Sequence, residues 1–64
     1  MQNNRKEKEA EIRAKIAELD AYVKEMNAKG HLTDEEMNEV MSAMRLTNKY
    51  LRALGEPESA MYDI

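Results

Sequence analysis

Apolar residues fall into two seams along this chain. Ile12, Ile16, Leu19, Val23 and Met26 recur at alternating spacings of four and three residues, the heptad pattern that keeps one stripe of a helix against a partner. Met37, Val40, Met44, Thr47, Leu51 and Leu54 repeat it, with Thr47 the one polar member. Between the seams lies Lys29-Gly30-His31-Leu32-Thr33-Asp34-Glu35-Glu36-Met37. Gly30 suits the left-handed conformation that ends a helix, and Lys29 places a cation by the last carbonyls. Thr33 and Glu36 have the spacing of a capping box, and Leu32 and Met37 that of a hydrophobic staple. The pattern predicts helix 1 over residues 4–29, capped by Asn4, and helix 2 over residues 34–54, ended by Gly55 with Pro57 beyond. The fold class is all-α: an antiparallel helical hairpin over residues 1–55, followed by a flexible acidic tail over residues 56–64. The hairpin pairs Met26 with Met37, Leu19 with Met44, and Ile12 with Leu51.

Helix 2 is apolar over more than its seam. Met41 lies on one side; Ala43, Leu46 and Tyr50 extend the other. One partner helix cannot cover so wide an arc, which predicts a second interface and a homodimer of hairpins forming a four-helix bundle. Thr47 or Asn48 near mid-bundle would turn its polar end toward solvent or, if buried, fix register. Ala10, Ala14, Ala17, Ala21 and Ala28 mark the other side of helix 1. They fit an exposed face filled by the best helix former, or a shallow second contact face.

Size sharpens this expectation. A core in a chain of 64 residues rarely supplies more than about 3–5 kcal/mol. With no cysteine and one histidine, disulfides and a zinc site are not available as supports, leaving oligomerisation or a partner. No apolar run reaches the roughly 20 residues of a membrane span, and Met1-Gln2-Asn3-Asn4-Arg5-Lys6 leads into charge rather than a signal-peptide core. The expected setting is the cytoplasm, with no membrane contact.

Charge is segregated although the net value is only −3. Bases predominate in residues 1–17 and in the acid-free stretch 40–54, which the hairpin brings together at its open end. Acids predominate around the turn and in the tail. Arg45, Lys49 and Arg52 with Arg5, Lys6 and Lys8 are therefore a candidate nucleic-acid contact; the alternatives are a solvated face that complements the C-terminus of helix 2, or one that meets an acidic protein surface or the tail itself. Leu46, Tyr50, Ala43 and Met41, with Met61, Tyr62 and Ile64 of the tail, are the candidate protein-interaction residues.

Catalytic chemistry finds little footing. Asp34, Glu35 and Glu36 suit the first turn of a helix, where negative charge meets the dipole. His31 sits in the turn, and Ser42, Ser59, Thr33 and Thr47 have no histidine placed to activate them. Gly30 and Gly55 are the only glycines, too few for a phosphate loop. No catalytic residue, cofactor or metal is expected, and the chain reads as a non-enzymatic regulator or adaptor.

The layout of two helices, short turn and tail resembles the plasmid copy-number regulators of the Rop type. That resemblance implies a dimeric four-helix bundle that binds paired RNA loops. The stretch Gly30-His31-Leu32-Thr33-Asp34-Glu35-Glu36-Met37 is also similar to the turn of the small sporulation-type aspartyl-phosphate phosphatases. Their second helix carries Ser-Gln-Glu-Leu-Asp. The nearest segment here, Met41-Ser42-Ala43-Met44-Arg45, has a base in place of the acid, so that activity does not carry over. Small helical regulators of this kind are common on phages and plasmids, the origin expected here.

Overall fold

The computed structural model describes residues 2–64; of the hairpin expected over residues 1–55, Met1 lies outside them. Helix α1 spans Gln2–Asn27 and helix α2 spans Asp34–Ala53, and the two pack against each other as an antiparallel hairpin. A single 3-10 turn, Glu58–Ala60, follows. The molecule measures 46 × 19 × 16 Å, and no described helix is long and apolar enough to cross a membrane.

The turn forms as its residues dictate. Gly30 has φ 78°, a conformation that costs a side chain-bearing residue about 1–2 kcal/mol. The Lys29 and Gly30 amides donate to Met26 and Asn27 carbonyls. This tightening ends α1 at Asn27, two residues before the expected Lys29. Asn4 is a correction too: it lies inside α1 and caps nothing.

Thr33 adopts extended geometry and caps α2. Its Oγ1 accepts from the Glu36 amide at 3.1 Å, and Glu36 Oε1 accepts from the Thr33 amide at 3.0 Å. Lys29 Nζ donates to Glu36 Oε2 at 2.6 Å. The Lys29 contact first, then the Thr33 amide, hold the Glu36 carboxyl down at about 2 from the usual 4.5. A lowered carboxyl stabilises the fold above its unfolded pKa, so this contribution is complete above pH 4.5 and fades as pH falls toward 2. Thr33→Ala should cost about 1 kcal/mol through the lost cap, whereas Lys29→Met, which removes the contact that lowers Glu36 most, should flatten the acid limb of stability, as thermal unfolding followed by circular dichroism from pH 7 to pH 2 would reveal.

At its far end α2 stops at Ala53, one residue short of expectation, with Leu54 as C-cap. Gly55 again has φ 78°. The Gly55 amide donates to the Arg52 carbonyl and the Glu56 amide to that of Leu51, each at 3.0 Å, the paired bonds of a Schellman motif.

The buried core lies toward the turn: Val23, Met26, Val40 and Ala43, with Leu19, Tyr22, Leu32, Met44 and Tyr62 packed on it. Met37, expected opposite Met26, is 49% exposed; Leu32, its staple partner, packs against the core instead. Toward the open end Ile12, Ile16, Leu51 and Leu54 are only half-buried. The alanine stripe is exposed along its length, as an outer face of good helix formers requires.

Candidate functional site

The largest departure from expectation is the tail. Residues after Gly55, expected to be flexible, fold back along the seam between the helices, and the 3-10 turn Glu58–Ala60 carries the chain to Tyr62. Asn48 is the receiver. Its Nδ2 donates to the Tyr62 carbonyl at 2.9 Å, and its Oδ1 accepts from the Tyr62 amide at 2.8 Å. The Tyr62 hydroxyl donates to Asp20 Oδ1 on α1 at 2.7 Å. The tail thus ties both helices together through one residue.

The polar pair of α2 is thereby explained. Thr47 is the most deeply buried side chain, and its hydroxyl donates to the Ala43 carbonyl one turn back, at 2.9 Å. It satisfies itself. Asn48, also buried, is satisfied by the tail, not by register with a second hairpin. Burial pushes the Tyr62 phenol up to about 12 from 10.0, and the Asp20 hydrogen bond adds to the shift. A raised phenol favours the docked tail fully below pH 10, and the contribution is lost as pH rises from about 10 to about 12.

Acidic tail meets basic face at two points. Arg13 Nη2 lies 3.3 Å from Glu56 Oε1, and Arg52 Nε 3.9 Å from Glu58 Oε1. Such exposed pairs contribute about 0–1 kcal/mol each. Arg45 and Arg52, with Asn48 and Ile64, line a shallow hollow. Lys49, Lys6 and Lys8 are exposed, and Arg5 reaches Glu9 one turn along α1 at 3.8 Å. Arg5, Lys6 and Lys8 share the N-terminal part of α1 and are not gathered with Arg45 into a single pocket.

Of the expected protein-interaction residues, Ala43 is 7% exposed and belongs to the core, so it is not an available contact. Tyr62 is turned onto the hairpin, and Met61 and Met41 are half-buried. Leu46 and Ile64 stay open, at 39% and 50% exposed. On a second concavity, of about 240 Å³, Leu46 and Tyr50 of α2 meet Leu19, Lys15 and Glu18 of α1. Sequence reasoning missed Asp20 and the tail-holding role of Asn48. A carboxylate between Leu19 and the seam residue Val23, and an amide after Thr47, were the available signals. Among the described residues no cluster of histidine, cysteine or carboxylate side chains is placed to hold a metal. No protein-family model, curated protein or solved structure matches the chain.

Proposed function

We propose that this chain is a small non-enzymatic regulatory or adaptor protein that works by helix-mediated protein–protein contact, as a homodimer of hairpins assembled into a four-helix bundle. The observation that carries the reading is the Leu19–Leu46–Tyr50 concavity. It leaves apolar surface open in a chain whose core is only four residues strong. Lys15 and Glu18 flank it with opposite charges. A two-fold axis passing between Lys15 and Glu18 would set Lys15 of one protomer against Glu18 of its partner, the self-complementarity an isologous interface needs. The 46 × 19 Å side of the molecule is on the scale of the roughly 800 Å² per partner that stable interfaces bury. A larger protein partner would be held by the same Leu46 and Tyr50 surface. Nucleic-acid contact through Arg45, Lys49 and Arg52 is the weaker alternative, because the tail acids share that face.

Sedimentation equilibrium at micromolar concentration tests the dimer. The expected mass is twice the 7.4 kDa of one chain. Leu46→Asp should return the monomer with helix content intact, since Leu46 is already partly exposed. A folded wild-type chain that stays monomeric would defeat the proposal.

A further inference from the structure

The side chains under the tail have the chemistry of a receptor for peptide. Asn48 grips both main-chain groups of Tyr62, which is recognition of an extended backbone irrespective of side chains. Asp20 accepts the phenol, which selects tyrosine. Buried or half-buried polar groups are a cost to a two-helix seam unless partnered. Among the described residues, the Asn48 and Asp20 side chains hydrogen-bond only to Tyr62. A plain hairpin would do better with apolar residues at both places.

The tail itself sits like a ligand rather than a core element. Its side-chain anchoring is concentrated at Tyr62. Ala60 is exposed, and Ala60 and Met61 span a hollow of about 310 Å³ floored by Ile16, Thr47 and Leu51, a volume at the small end of ligand sites. Ile64 is half exposed, and the ion pairs to Arg13 and Arg52 are at the surface. Gly55, at φ 78°, separates the segment sharply from α2.

We infer that the seam at Asp20, Asn48 and Leu51 is a binding site for an extended, acidic, tyrosine-bearing segment of a partner protein, and that residues 56–64 are a resident pseudo-ligand that closes it. This site lies apart from the Leu46–Tyr50 face and does not rest on the dimer. The partner's chemistry follows from the lining. Tyrosine meets Asp20. A bulky apolar side chain two residues before it, at the position of Ala60, fills the hollow. Acids meet Arg13 and Arg52. A tethered tail acts at an effective concentration on the order of millimolar, so a weak resident suffices to exclude poor competitors and yields to a segment that fills the hollow.

The test uses the full chain carrying Tyr62→Ala, labelled with ¹⁵N, and a synthetic peptide of residues 56–64 as probe. The peptide should shift the Asn48 side-chain amide and the Asp20 resonance. It should bind wild-type chain at least about tenfold more weakly, because the tethered tail competes. A peptide with phenylalanine for tyrosine should bind about tenfold more weakly still, for want of the hydrogen bond to Asp20. No shift at Asn48 in a folded variant, or equal binding by wild type, overturns the inference. Tighter saturation of the variant by unlabelled wild-type chain than by peptide would make a second copy the occupant and overturn the partner assignment. Amide exchange on the wild type decides even if the variant does not fold. The Tyr62 amide should exchange about a hundredfold faster than those of Val40 and Ala43, through local opening. Exchange of all three at one rate would make the tail an integral part of the core and end the proposal.

Discussion

Val40→Asp should leave the chain unfolded at 25 °C. Val40 is 4% exposed and lies in the core with Val23, Met26 and Ala43. None of these neighbours can pair a carboxylate or donate a side-chain hydrogen bond to it. An uncompensated buried charge costs about 3–5 kcal/mol, and a core of this size supplies no more than about 3–5 kcal/mol. The substitution therefore removes the whole margin rather than a share of it. Far-ultraviolet circular dichroism gives the readout: loss of the helical signal is expected for Val40→Asp. Met37→Asp should keep it, although Met37 belongs to the same heptad seam, because its side chain is 49% exposed. Helix retained in both variants would mean that the buried cluster at the turn end is not what holds the hairpin together.

The contrast between Val40 and Met37 marks how far periodicity reaches. Heptad spacing identified both helices and their pairing, and the Gly30–Thr33–Glu36 chemistry located the turn with its reciprocal cap. These signals are local, so a single sequence displays them. Periodicity assigned Met37 and Val40 the same status, yet burial depends on where Leu32 goes when the turn closes, and that is a tertiary outcome. The tail was hidden for a similar reason. Gly55, Pro57 and three acids in nine residues carry the composition of a loose end. What overrides it is Tyr62 meeting Asn48 and Asp20, residues fourteen and forty-two positions away. Such separations leave no trace in spacing. Only the side-chain chemistry hinted at the contact: Asn48 adjoins the seam residue Thr47, and Asp20 follows Leu19, so each polar group stood beside a buried stripe without a local partner.

That long-range contact has a measurable signature in stability. Asn48→Ala should lower it by about 2 kcal/mol, because two hydrogen bonds of about 1 kcal/mol each are lost together. The Tyr62 amide and carbonyl are not stranded, since the tail can lift off and hydrate them. The cost is consequently bounded by the free energy of tail docking, and it should not reach the scale of Val40→Asp. Tyr62→Ala removes the same docking from the other side by deleting the phenol that Asp20 holds at 2.7 Å and the ring packed on the core. Two substitutions that each release one segment should be strongly non-additive. The double variant should be little less stable than either single one, and the coupling energy in a double-mutant cycle should approach the smaller single effect. Urea unfolding of the four chains, followed by circular dichroism, supplies the cycle. Strict additivity would mean that Asn48 and Tyr62 stabilise the hairpin separately, and that the tail does not dock as one unit.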